Sequence, residues 1–465
     1  MGEIAAVAAA GTDWAGRTGR RADEANAAAG RLVRLMDAWF ATRRQDRRFD
    51  RFGVHFDFLE PALAGATERL RAEIGEPDDD RPGTVYDRCR AVEQGLAVVH
   101  RLFAWYAEKY DQRCNDRLTS VLGAADELVR SCWVEPFRRA GVPCPTGPLT
   151  FVAPQWGACA TVRDAVPRPL RRDAPDLVGD LVRTLPIPVI SLPETVTGQG
   201  WWLALAAHEV GHHVAGDLGR DGDESLEDRA ADALADALGH HDPARGALWP
   251  TWAAELFADA FAAVAVAEAG AWATHELEYT APTAFFATPD GGAYPPPAIR
   301  LAVAGETVRR LGTGTWPPGA EDVRQWLRYA ALPGIAEDDV AAHLTLAAPA
   351  AEALLDLPVG GRRLADLFDN RAGWFAPRGR VADWTVELRG PDPHLHPIGG
   401  AEAARLTVLA GVRAYRAGAS DGLHERLVAA MAKAGPPGTL APGGAVGMHP
   451  ADAAGLIVRA LKEAR

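Results

Sequence analysis

The stretch Trp201 to Val214, WWLALAAHEVGHHV, constrains this chain more than any other. It holds His208-Glu209-Val210-Gly211-His212, an H-E-x-x-H pattern. Residues four apart share one face of an α-helix. On a helix, His208 and His212 therefore offer two imidazole nitrogens to one metal ion. Glu209 follows about 100° further round, near enough to hold a water on that ion. Two neutral nitrogen ligands beside a proton-accepting carboxylate are what metal-assisted hydrolysis requires. Trp201, Leu205, Ala206 and Val210 add apolar positions at helical spacing, and no proline interrupts residues 198–219. The bland alternative is a helix with histidines packed in a core. It would bury an imidazole pair beside a carboxylate, at considerable cost.

A hydrolytic zinc site needs a third protein ligand and an open position. Downstream lies WAAELFADAF, Trp252 to Phe261. Glu255 and Asp259 are again four apart, and their neighbours Leu256, Phe257, Ala258 and Ala260 are apolar. Carboxylates in such company need a partner. Glu255 completes a His2Glu set for one Zn²⁺ per chain. Asp259 is placed to accept the second ring N–H of a ligand histidine and so fix its tautomer.

His208-Glu209-x-x-His212 followed by Glu255-x-x-Ala258-Asp259 resembles the gluzincin clan of zinc metallopeptidases, in particular the family of the HtpX and Ste24-type proteases. That family carries His-Pro-Pro-x-x-x-Arg after its third ligand. Here Tyr294-Pro295-Pro296-Pro297-Ala298-Ile299-Arg300 has the same spacing, with Tyr294 where the family has His. The resemblance covers residues 185–310. It implies a zincin-like core with a small sheet whose edge strand, near Val189 to Leu192, pairs with extended substrate. It also implies a zinc endopeptidase acting on a peptide or protein, with Glu209 as general base. The membrane helices of those relatives have no counterpart in this sequence.

Hydrophobic residues make up 48% and charged residues 24% of 465 residues, which excludes wholesale disorder. A net charge of −13 argues against nucleic-acid or anionic-membrane partners. The five cysteines, Cys89, Cys114, Cys132, Cys144 and Cys159, form no C-x-x-C pair, as expected of reduced thiols in a cytoplasm. The N-terminal stretch carries Glu3 and no early positive charge, a poor signal peptide. Near the site, the apolar run Ala260 to Ala267 is far too short to span a bilayer. The expectation is a soluble, cytoplasmic protein.

The spacing predicts a mainly α (α+β) chain: a helical N-terminal region over 1–145, a catalytic core over 146–315 and a mostly helical region over 316–465. The arginines at 43, 44, 47, 48 and 51 read as a solvated helix face. The Pro- and Gly-rich loop Gly141 to Pro148 is the candidate boundary. Pro186 and Pro188 lie two apart, so both missing N–H groups fall on one side of a strand there, which predicts a sheet edge. Helices are expected over Glu224 to Leu238, Glu321 to Leu332, Glu337 to Leu355, Ala401 to Ala417, Gly422 to Ala434 and Ala451 to Lys462. Phe368 to Gly400 reads as irregular.

Weaker candidates stand beside the main site. His275 and Tyr279 are offered as hydrogen-bond donors to an oxyanion, and Tyr294 and Arg300 as substrate contacts. His213 points about 100° away from His212 and is not expected to bind the ion. His240-His241 and the pair His394 and His396 lack matched partners. Two other readings use the same residues: hydrolysis of a non-peptide amide or ester, and a silent or partner-regulated zinc scaffold. A peptidase always active in a cytoplasm is dangerous, so the flanking helices are expected to cover the cleft until a regulatory partner moves them.

Overall fold

The computed structural model describes residues 14–75, 82–154, 159–161, 181, 185–218, 225–287, 292, 294–313, 316, 318–330, 336–368, 379–390, 402–433 and 448–463. The described chain is mainly helical. It opens with α1 (Trp14–Arg44), α2 (Gly53–Ala72), α3 (Pro82–Asp111) and α4 (Asp116–Ala140). Strands β1 (Leu149–Ala153), β2 (Cys159–Thr161) and β3 (Val189–Pro193) follow. Then come α5 (Leu205–Asp217), α6 (Leu226–Gly239), α7 (Ala253–Val266), α8 (Glu268–Glu278) and α9 (Pro297–Leu311). The last are α10 (Ala320–Ala330), α11 (Glu337–Thr345), α12 (Ala347–Asp356), α13 (Arg380–Arg389), α14 (Ala403–Arg416), α15 (Leu423–Ala432) and α16 (Pro450–Glu463). Single helical turns are left unlabelled. No helix among the described residues is long and apolar enough to cross a membrane.

Two compact units form. One gathers residues 1–111, 163–188 and 444–465, the other 112–162 and 189–443. In the first, α1, α2 and α3 pack around an aromatic cluster of Trp39, Phe40, Phe56, Phe103 and Tyr110, and α16 lies against α2. The basic stretch is paired locally: Arg43 with Asp111 at 2.8 Å, Arg44 with Asp57 and Glu60 at 2.7 and 2.8 Å. Ion pairs this exposed are worth little and mark a solvated face.

The second unit contains the three-stranded sheet, in the order β1-β3-β2. β3 is parallel to β1, with Leu149 opposite Val189, and antiparallel to β2, with Cys159 opposite Ser191. It is therefore the central strand and not the edge that the prolines suggested. Pro186 and Pro188 precede the strand, which starts at Val189, so neither removes a donor from its ladder. The free side of β1 is met by the amide of Gln112, which donates to the Val152 carbonyl and accepts from its N–H, both at 2.8 Å. β2 is left as the edge strand beside α5.

The loop Gly141 to Pro148 lies inside this second unit, because α4 packs against both β1 and α5. It begins at Gly141, whose φ of +71° lets the chain leave α4 in a left-handed conformation while its N–H bonds back to Arg138. The predicted helix Glu337 to Leu355 is two helices meeting at Leu346. Pro349 explains the break, since its ring would clash with the Thr345 carbonyl of a continuous helix. The stretch read as irregular contains α13, which buries Val381, Trp384 and Leu388. α6 matches its expectation: Ser225 caps it, accepting from the Asp228 N–H at 3.1 Å, and Glu227, Asp228, Asp232 and Asp236 face outward. Cys89, Cys114, Cys132 and Cys144 are free thiols, and Cys132 and Cys144 are pushed up to about 12 by burial. His394 and His396 lie outside the described residues.

α7 passes to α8 through Ala267, the one non-glycine residue with positive φ among the described residues, at φ 53° and ψ −139°. The two helices lie so close there that a Cβ on Gly270 would meet the Ala262 Cβ at 2.8 Å.

Candidate metal centre

α5 is buried on every side from Leu205 to Ala215, which its apolar flanks anticipate. α7 crosses it where α5 has Gly211. A Cβ there would meet the Ala258 Cα at 3.0 Å and the Phe261 Cβ at 3.2 Å. Only a glycine lets the two backbones approach so closely, and the approach brings Glu255 and Asp259 to His208 and His212. We expect Gly211→Ala to destabilise the protein by about 1–3 kcal/mol, because a backbone clash outweighs the roughly 1 kcal/mol that alanine adds to a helix. It should also weaken zinc binding. Gly216, on the same helix with nothing within 4 Å of its Cβ position, is the control. Gly216→Ala should be neutral or stabilising by thermal melting, and equal effects of the two substitutions would refute the crossing argument.

His208, His212 and Glu255 each present a ligand atom within 4.8 Å of the others, the one such group among the described residues. His208 Nε2 lies 3.1 Å from His212 Nε2. Glu255 Oε2 is 3.5 Å from the first nitrogen, and Oε1 is 3.6 Å from the second. Ligands at about 2.1 Å from a tetrahedral zinc stand about 3.4 Å apart. The donor set of two imidazoles and one carboxylate and its edges thus fit zinc, and no fourth ligand residue joins the group among the described residues.

Behind this set the groups are ordered. His208 Nδ1 donates to Asp259 Oδ1 at 2.8 Å, which leaves Nε2 to face the cluster. Thr274 of α8 donates to the same oxygen at 3.2 Å. Arg300 of α9 donates to Asp259 Oδ2 at 2.5 Å, to Glu255 Oε2 at 3.1 Å and to Glu278 Oε1 at 2.8 Å. Its guanidinium thus spans three carboxylates from two helices.

Burial dominates the electrostatics. It works against a charge on His208, but the Asp259 carboxylate outweighs it and raises the imidazole to about 10. Burial and then the His208 cation lower His212 to about 3. Nitrogens facing each other this closely share one proton, and an ion entering there must displace it. Burial also opposes ionisation of Glu255 and Asp259. His208 and Arg300 overcome it for both, and hold the two carboxyls below the ordinary range.

Glu209 lies on α5, 6% exposed, one position from a ligand. His213 is turned away and donates from Nε2 to the Val189 carbonyl at 3.2 Å, fastening α5 to β3. His240 and His241 are exposed and belong to no such group. His275 packs instead among Tyr279, Phe285 and Trp316, and its ring nitrogens meet no hydrogen-bond partner among the described residues. Tyr279 and Tyr294 are 68% and 66% exposed. Arg300, offered as a substrate contact, is committed to the carboxylates. Its threefold role was not legible from spacing, although the Pro-Pro-Pro-x-x-Arg run marked the residue. No family model matches this chain, and no match was found among curated proteins or solved structures.

Proposed function

We propose that this protein is a zinc-dependent hydrolase of peptide bonds built on a zincin-like core. The observation that carries the reading is the convergence of His208, His212 and Glu255, with Glu209 adjacent and Asp259 fixing the His208 ring. Zinc, when bound, polarises the scissile carbonyl and lowers the pKa of an attacking water. The residues of the chain do the rest. Glu209 accepts the proton from that water and passes it to the leaving nitrogen. Asp259 holds His208 in the tautomer whose Nε2 faces the cluster. Arg300 anchors Glu255 and Asp259 so that both face the histidines. An extended substrate pairing with the sheet would meet β2, since β3 is enclosed on both sides.

His208, Glu209 and His212 are each below 9% exposed. That burial also favours a second reading, a zinc scaffold opened only by a partner. The deciding experiment measures zinc by elemental mass spectrometry on the wild type and Glu255→Ala, and hydrolysis of an unstructured protein such as casein by the same samples. One zinc per chain, lost in the variant together with hydrolysis, supports the peptidase. One zinc without hydrolysis of casein or of small amides supports the scaffold. No zinc in wild type after incubation with it overturns both.

A further inference from the structure

A second concave site lies in the same unit, on the face of α8 that carries Trp272, His275 and Glu276. It is an open hollow of about 540 Å³ lined also by Trp316, by Tyr415 and Arg416 at the end of α14, and by the segment Gly418–Ser420. Its walls are aromatic and braced. Trp201 stacks on Tyr415 with centroids 4.4 Å apart, and Trp272 meets the same ring edge-on at 5.7 Å. Such contacts fix ring positions without flexible side chains.

Two polar groups of this mixed polar and aromatic wall bear on recognition. Neither His275 nitrogen has a hydrogen-bond partner among the described residues, although both atoms are buried. Burial, and after it Arg416, lowers the His275 pKa, so the ring is neutral and offers one N–H and one lone pair. A buried polar atom without a partner is costly, and a ligand that completes it removes that cost. Arg416 is held flat, its guanidinium 4.3 Å above the Trp316 ring. Its ion-pair partner among the described residues is Glu268, at 3.5 Å, and Glu268 already receives Arg413 at 3.0 Å. Among the described residues the guanidinium meets no second carboxylate within ion-pair distance, although Glu276 on the same wall also acts on its charge, so donors of the Arg416 fork remain for a planar anion to engage bidentately.

We propose that this cavity binds a small planar aromatic carboxylate: the carboxylate on Arg416, a polar atom of the ligand on His275, and the ring among Trp272, Trp316 and Tyr415. Cationic ligands, the usual guests of aromatic cages, are disfavoured by Arg416 standing over the indole. Binding here does not require the proposed metal site to be occupied or active.

Isothermal titration calorimetry on the full chain tests it with benzoate, 4-hydroxyphenylacetate and indole-3-acetate as probes, against indole and acetate alone. We expect at least one aromatic acid to bind in the sub-millimolar range. Indole and acetate should each bind at least about tenfold more weakly, because ring and charge act together. Arg416→Gln and His275→Phe should each lower the affinity by about tenfold or more, the second retaining a ring of similar size. Thermal melting separates loss of binding from loss of fold, and His275→Phe stands as the test if Arg416→Gln melts early. No heat from any aromatic acid up to 10 mM overturns the proposal, as does unchanged binding in His275→Phe.

Discussion

Glu209→Gln should bind as much zinc per chain as the wild type and, on the proposed reading, lose about 10²–10⁴-fold in hydrolysis, the range a positioned general base contributes. The amide occupies the same volume in the 6% exposed position of Glu209, so the packing of α5 stays intact. What disappears is the carboxylate able to take a proton. Glu209 is not one of the three residues whose ligand atoms converge, which is why zinc content should not fall. Elemental mass spectrometry and cleavage of casein, measured on one preparation, check both halves. Undiminished cleavage would remove Glu209 from the chemistry. Loss of zinc would make it a ligand and leave the base unassigned.

Arg300→Met should cost about 3–5 kcal/mol, the usual penalty for removing one partner of a buried ion pair. Arg300 is 6% exposed and Asp259 3%, so the carboxylates left behind have little water to turn to. Without the guanidinium, Glu255 and Asp259 repel each other across the cluster. Combining Arg300→Met with Asp259→Asn should cost less than the two single changes added together, by about 1–3 kcal/mol, since the groups share one network. Urea unfolding followed by tryptophan fluorescence gives the comparison. Zinc should rescue part of the Arg300→Met loss, because a cation beside Glu255 replaces some of the missing charge. Additive losses would mean that Arg300 contributes packing and not charge.

The candidate metal ligands are legible in the sequence because helices impose a period. His208 with His212, and Glu255 with Asp259, can each be placed on one face without knowing where the helices lie. That they meet was an inference from chemistry, and the position of Gly211 at the crossing is the structural cause. Arg300 was harder: which carboxylates it reaches depends on how α9 packs on α7, and local spacing does not encode this. β3 was misplaced because the prolines were counted as part of the strand they precede. The helix α13 is masked in the sequence by glycine and proline on both sides, which read as helix breakers, although Val381, Trp384 and Leu388 repeat at helical spacing. The aromatic cavity has no sequence motif, because Trp201, Trp272, Trp316 and Tyr415 come together from four separate segments.

Ala267 bears on how the ligand-carrying helix is held. An alanine at φ 53° and ψ −139° sits in territory that glycine enters freely and alanine only at a cost of about 1–3 kcal/mol. A glycine at this elbow would leave α7 and α8 free to swing. Alanine, pinned by the contact of Gly270 with Ala262, leaves the elbow a single narrow well. Glu255 and Asp259 on one arm, and Thr274 and Glu278 on the other, are therefore set at fixed angles when the chain folds. An ion entering the proposed site would find little left to order, so lost motion would subtract only slightly from its affinity.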